Sequence, residues 1–123
     1  MSCLFNSLSH FLPISSSQIR KEVCDYLAEN KPILDGLETS KIIDTNYIKM
    51  MRDSSTWGGG VEIQAACNLY KIRIIVESLR VMDNKNKPIV FIPVSGSGFY
   101  LKSCHLTWNG SHYEPSKTPL LIL

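Results

Sequence analysis

The sequence has little of several features that would each point to a function. No apolar run approaches the ~20 residues that a membrane-crossing helix needs. The apolar tail Pro119–Leu123 is far too short, so no membrane partner is expected. No block or stripe of one charge is present: 13 Lys and Arg stand against 11 Asp and Glu, spread along the chain, for a net charge of +2. A nucleic-acid partner is therefore not expected. The first residues, Met1 to Ser7, carry no basic segment, so no secretory leader is expected. The four cysteines Cys3, Cys24, Cys67 and Cys104 are irregularly spaced, with no Cys-x-x-Cys. That spacing argues against a zinc knuckle and a thioredoxin-like pair, and leaves free thiols in a reducing, intracellular compartment as the simpler reading. The run Trp57-Gly58-Gly59-Gly60 lacks the Gly-Lys-Ser/Thr of a phosphate loop, and no strand precedes it.

What remains is an ordinary globular chain. Its 123 residues, 44% apolar and 20% charged, fit one domain over residues 1–123, without repeat, low-complexity segment or linker. Leu4, Leu8 and Phe11 fall at helical spacing and predict a helix over Cys3–Leu12, ended by Pro13. Ser15–Ser17 offer capping hydroxyls for a second helix, Gln18–Asn30. Its apolar stripe is Ile19, Val23, Tyr26 and Leu27, with Arg20, Lys21, Glu22 and Asp25 toward water. Ile33–Asp44 reads as loop or short turns. Asp44 or Thr45 caps a third short helix with Tyr47, Ile48 and Met51 inward. Ser54–Gly60 is a loop, and Val61–Tyr70 a fourth helix.

The pattern then turns strand-like: Arg73–Glu77, Ile89–Val94 after a turn at Asp83–Pro88, and Phe99–Trp108. Asn109-Gly110 predicts a two-residue hairpin turn into Ser111–Glu114. Helices followed by a small, mostly antiparallel sheet give an α+β class, α/β/α-like in its layering.

Cys3 stands at the start of an apolar helix, where unpaired N–H groups favour a thiolate that attacks a carbonyl carbon. A small apolar residue near a terminus is the plain alternative. His112 follows the Asn109-Gly110 turn and is the best partner for the thiol. Residues two apart on a strand share a side, so Glu114 is in reach of the His112 imidazole and suits the third place of a triad. An exposed hairpin histidine with a solvated glutamate is the alternative. His10 lies about two turns from Cys3, ~10 Å along a straight helix, and is too far for contact. His105 reads as structural or exposed, and Cys24, Cys67 and Cys104 as packing residues. Three successive glycines suit a tight turn or the close approach of another chain. Glu62, near a helix start, is explained by the helix dipole.

Taken in order, these pieces resemble a family. Cys3-Leu4-Phe5-Asn6-Ser7-Leu8-Ser9 resembles the catalytic helix of ovarian tumour (OTU) cysteine proteases, typically Asp-Gly-x-Cys-Leu-Phe. Ile19-Arg20-Lys21-Glu22-Val23, with Tyr26 and Asn30, is similar to the family's second helix. Tyr47-Ile48-x-x-Met51, then Trp57-Gly58-Gly59-x-x-Glu62-Ile63-x-Ala65, resembles its most recognisable internal segment, continued by Asn68-Leu69-Tyr70 and Ile74–Val76. His112-Tyr113-Glu114 resembles the closing His-Tyr-Asp or His-Tyr-Asn.

The resemblance covers residue 3 to about 114. It implies a papain-like fold of OTU type and an isopeptidase that cleaves after the C-terminal glycine of ubiquitin or a ubiquitin-like protein, with neither metal nor cofactor. It implies Cys3 as nucleophile, His112 as base and Glu114 as the orienting acid. By analogy Trp57, Gly58 and Gly59 lie near the channel for the ubiquitin tail. The short length resembles viral or bacterial members, which implies host cytoplasm if the source is viral, and a monomer is expected.

Two departures qualify what the resemblance implies. No Asp-Gly precedes Cys3, so the family domain is expected to be trimmed at its N-terminus and short of part of its oxyanion loop, a loss worth about a hundredfold in rate. The residue after Tyr113 is Glu114, one methylene longer than the family's usual acid. An OTU fold that binds ubiquitin without cutting it is the alternative function.

Overall fold

The computed structural model describes residues 3–78, 88–94 and 100–116. Helix α1 is Cys3–Ser9, shorter than its apolar spacing predicts. The chain after it tightens into a turn in which Phe11 and Leu12 N–H both donate to the Leu8 carbonyl, ahead of Pro13. Helix α2, Ser16–Ala28, is capped by Ser15, whose hydroxyl accepts the Gln18 N–H at 3.2 Å. Ile33–Asp44 is more ordered than expected. Strands β1, Pro32–Leu34, and β2, Leu37–Glu38, form a small antiparallel hairpin turned by Gly36 at φ +74°, followed by a 3-10 turn at Thr39–Lys41.

Asp44 caps helix α3, Thr45–Met51, accepting the Tyr47 N–H at 2.8 Å. Helix α4 is Gly60–Tyr70 and carries the only strongly buried polar run among the described helices: Glu62, Gln64 and Asn68. Strands β3, Arg73–Ser78, β4, Ile89–Phe91, β5, Ser103–Trp108, and β6, Tyr113–Pro115, form one sheet in the order β4-β3-β5-β6. Phe99, most of the turn at Asp83–Pro88 and the tail Pro119–Leu123 lie outside the described residues.

Two of the three pairings in this sheet are antiparallel, as expected. The longest, β3 with β5 over six residues from Arg73↔Ser103 to Ser78↔Trp108, is parallel. The expected second strand stops at Phe91 because α4 side chains replace the ladder beyond it. Gln64 donates to the Ile92 carbonyl at 2.7 Å, Asn68 Oδ1 accepts the Val94 N–H at 2.8 Å, and Pro93 has no N–H to pair.

The core joins Leu4, Phe5 and Leu8 of α1, Ile19, Val23 and Leu27 of α2, Ile63 and Ala66 of α4, and Ile74, Cys104 and Leu106 of the sheet. α4 lies against β3 and β4, while α1 lies against α2 and β6. The first helix and the last described strand are therefore neighbours, with most of the chain folded between them.

Candidate active site

Cys3 opens α1 and is partly exposed, whereas Cys24, Cys67 and Cys104 are fully buried. Burial pushes the Cys67 thiol up to about 12 and the Cys104 thiol up to about 11, and raises that of Cys24. Of the four thiols, Cys3 alone is within reach of a reagent in solution.

His112 is not on a strand and the turn before it is not a two-residue hairpin. Trp108 pairs with Tyr113, so residues 109–112 form a four-residue loop. Asn109 organises it: its Oδ1 accepts the Ser111 N–H at 3.0 Å and the His112 N–H at 2.9 Å, and its own N–H donates to the His112 carbonyl at 3.2 Å. Gly110 takes φ +104°, a conformation that favours glycine. The loop leaves His112 exposed. Its Nε2 lies 3.6 Å from Glu114 Oε1, so the expected shared side for residues 112 and 114 is present. Both side chains are about half solvent-exposed or more (49% and 64%), which makes this a loose, solvated pair.

Residues flanking the two candidates touch. Ser7, one turn after Cys3, has its hydroxyl 2.7 Å from the Cys3 carbonyl and 3.1 Å from the carbonyl of Tyr113, the residue after His112. Tyr113 stacks at a tilt on Trp108, with ring centroids 4.6 Å apart. Burial raises the Tyr113 phenol, and nearby Cys3 and Glu62 add to that rise.

The glycine run has a structural explanation of its own. A Cβ on Gly58 would stand 2.8 Å from Leu4 Cδ2, so the loop backbone lies directly on α1. Gly59 precedes α4 and donates its N–H to Glu62 Oε1 at 2.7 Å. Trp57, beside them, is exposed.

Two residues have roles that the sequence pattern did not reveal. Arg20, expected toward water, is buried. Its guanidinium donates to the carbonyls of Met51 at 2.7 Å and Thr56 at 2.9 Å, and its cationic carbon sits 4.5 Å from the centre of the Phe5 ring. It thus ties the Trp57 loop to the underside of α1. Glu62, attributed to the helix dipole, is instead fully buried and also accepts the Tyr47 hydroxyl at 2.7 Å. Burial raises its carboxyl, with the bonds from Tyr47 and Gly59 opposing. The signal available in the sequence was a glutamate at the third position of a helix that starts after glycine, with a tyrosine on the inward stripe of the preceding helix.

His105 is nearly buried on β5. Among the described residues neither ring nitrogen has a hydrogen-bond partner, and Nε2 is 3.9 Å from Glu77 Oε2. His10 packs edge-on against Phe11, with ring centroids 5.2 Å apart. Among the described residues no group of His, Cys, Asp and Glu is placed to hold a metal, and no helix is long and apolar enough to cross a membrane.

Comparison with known proteins extends this geometry. The chain is 35% identical over 77 residues to the OVARIAN TUMOR DOMAIN-containing deubiquitinating enzyme 9 of Arabidopsis thaliana, a match covering 60% of this chain and 22% of that protein. It is 27% identical over 128 residues to the ubiquitin thioesterase otu2 of Schizosaccharomyces pombe, covering 91% of this chain and 41% of that protein. The chain thus spans less than half the length of the curated relatives it matches. In fold it is similar to the OTU domain of OTUD1, with a TM-score of 0.71 at 17% identity over 93% of this chain and 77% of that one. It is also similar to an OTU domain solved in complex with ubiquitin, with a TM-score of 0.67 at 18% identity over 93% of this chain and 62% of that one. Residues 2–113 match the family described as OTU-like cysteine protease, and the chain belongs to that family.

Proposed function

We propose that this protein is a thiol isopeptidase that removes ubiquitin, or a ubiquitin-like protein, from proteins or chains. In this reading the Cys3 thiolate attacks the carbonyl carbon of the modifier's terminal glycine, and the Cys3 backbone N–H contributes to stabilising the oxyanion. His112 takes up the thiol proton and returns it to the departing lysine amine. Water then hydrolyses the thioester and regenerates the thiol. Glu114 orients His112. Trp57, with the backbone of Gly58 and Gly59, borders the path of the modifier's tail. The reaction needs no metal or cofactor, and its free thiol suits a reducing intracellular compartment.

The observation that supports this reading most is the contact of the first helix with the last described strand. Ser7, one turn beyond Cys3, meets the carbonyl of Tyr113, next to His112. Family membership gives that contact its chemical meaning. The differing accessibility of the four thiols supports it independently.

Ubiquitin carrying a C-terminal propargyl group should form a covalent adduct with the wild-type chain and none with Cys3→Ala, and ubiquitin chains should be cut only by the former. Ubiquitin that binds with neither adduct nor cleavage would leave a binding module in place of an enzyme.

A further inference from the structure

The tie between α1 and β6 runs through one hydroxyl. Ser7 is 2% exposed, and its Oγ lies within hydrogen-bond distance of two carbonyls, those of Cys3 and Tyr113. Back-bonding to the carbonyl four residues earlier is what a helical serine does without a partner, and alone it would carry no meaning. The second acceptor is different. It lies 106 residues away, on another element.

The sheet register explains why that carbonyl awaits a donor. Antiparallel pairs alternate between residues that exchange hydrogen bonds and residues that do not. Ser116 N–H donates to the His105 carbonyl and Asn109 N–H to the His112 carbonyl, which fixes the phase of the β5–β6 ladder. Counting in twos from either bond, Trp108 and Tyr113 form a non-bonded pair. Pro115, opposite Leu106, falls in the same phase, where its missing N–H costs nothing. Tyr113 therefore turns its carbonyl off the free edge of the sheet, toward α1, where Ser7 meets it. Alanine at position 7 would suit the helix equally well and leave this part-buried carbonyl without its donor.

We infer that Ser7 is a positioning residue for the proposed reaction: its hydroxyl, shared between the Cys3 and Tyr113 carbonyls, sets the spacing between the helical turn that carries the thiol and the loop that carries the imidazole. The inference rests on the reading of Cys3 and His112 as nucleophile and base. The Trp108–Tyr113 stack and the Asn109 loop hold the strand side of the contact. The seating of Leu4 and Phe5 in the core holds the helix side.

The test uses the full chain and four proteins: wild type, Ser7→Ala, Ser7→Thr and His112→Ala. With the ubiquitin propargyl probe, Ser7→Ala is expected to slow adduct formation about ten- to a hundredfold, the size of effect that small misplacements of reacting groups produce. Ubiquitin affinity should change by less than about twofold, since only alignment is lost. Ser7→Thr keeps the hydroxyl and should recover most of the rate. Equal rates for Ser7→Ala and wild type overturn the inference. So do rates in both variants that merely follow a drop in their urea midpoints.

A second measurement does not depend on ubiquitin. The pH profile of Cys3 alkylation by iodoacetamide should respond to His112→Ala, and Ser7→Ala should move it the same way while leaving the rate in strongly alkaline solution unchanged. If wild type takes no probe but its alkylation profile still shifts in both variants, the isopeptidase reading falls and Ser7 keeps its role. A profile indifferent to Ser7→Ala overturns the inference whatever the probe shows.

Discussion

Gly58 sits so close to Leu4 that a side chain on it would begin 2.8 Å from Leu4 Cδ2 and 3.2 Å from Phe5 Cε2. The Leu4 methyl is the end of a side chain, but that side chain is 1% exposed and held within the core, so it yields only by repacking. Gly58→Ala is expected to cost about 1–3 kcal/mol, as overpacked cores do. Because the strained contact is with the helix that opens at Cys3, the variant should also react more slowly with the ubiquitin probe. Urea denaturation and probe kinetics check the two parts. A stability equal to wild type would mean that the loop moves aside freely.

Glu62 makes stability depend on pH in an unusual direction. Its folded-state carboxyl is raised above the ordinary value of 4.5, mainly by burial. The folded form then holds a proton to higher pH than the unfolded form. Its contribution is fully present below 4.5 and is lost as pH rises through the folded value. Glu62→Gln stays neutral throughout. The stability of wild type relative to Glu62→Gln should therefore fall as pH is raised from about 4 to 8, measured by urea midpoints at several pH values. A difference independent of pH would contradict the burial argument.

The four thiols should separate on labelling. With a maleimide at neutral pH, native protein should take one label quickly, at Cys3. Cys24, Cys67 and Cys104 should react only after denaturation, because they are fully buried and their thiols are shifted upward. Peptide mapping of the labelled chain checks it. Fast labelling at any of the buried three would mean that the core opens readily.

His112 and Glu114 should not contribute equally. Losing the general base by His112→Ala is expected to lower turnover by about 10²–10⁴-fold. The 3.6 Å contact to Glu114 is largely exposed, and exposed pairs of this kind contribute little. Glu114→Gln should therefore cost less than about tenfold in turnover. Steady-state cleavage of a ubiquitin-chain substrate by both variants decides. A Glu114→Gln variant as impaired as His112→Ala would show that the pair tightens on substrate.

Local rules made much of the fold legible. Ser15 and Asp44 marked their helices because their side chains do what capping residues do, and the β-branched run at Ile74–Val76 formed the central strand. Arg20 departs from the pattern of its helix for a physical reason. A charge on a helix edge normally faces water, and nothing in its helix reveals the carbonyls of Met51 and Thr56 or the Phe5 ring waiting for it. The parallel pairing of β3 with β5 was equally hidden, since side-chain alternation is the same whichever way the neighbour runs. Gly36 carried the signal for the β1–β2 hairpin, but three- and two-residue strands are too short for a pattern. Within the candidate site, the helix start at Cys3 and the existence of a turn at Asn109-Gly110 could be read locally. The turn's length could not, because the Asn109 side chain bonds to the Ser111 and His112 N–H groups and opens it to four residues. That these distant segments approach each other came only from the family resemblance. The residue that joins them, Ser7, carries no local mark at all.

One measurement bears most directly on the account: the separation between the Cys3 sulfur and the nearer His112 ring nitrogen in a crystal of the chain trapped with the ubiquitin probe. The account predicts ~3–4 Å, within reach of proton transfer. A gap too wide for a hydrogen bond or one bridging water, with the probe attached elsewhere than Cys3, would contradict it.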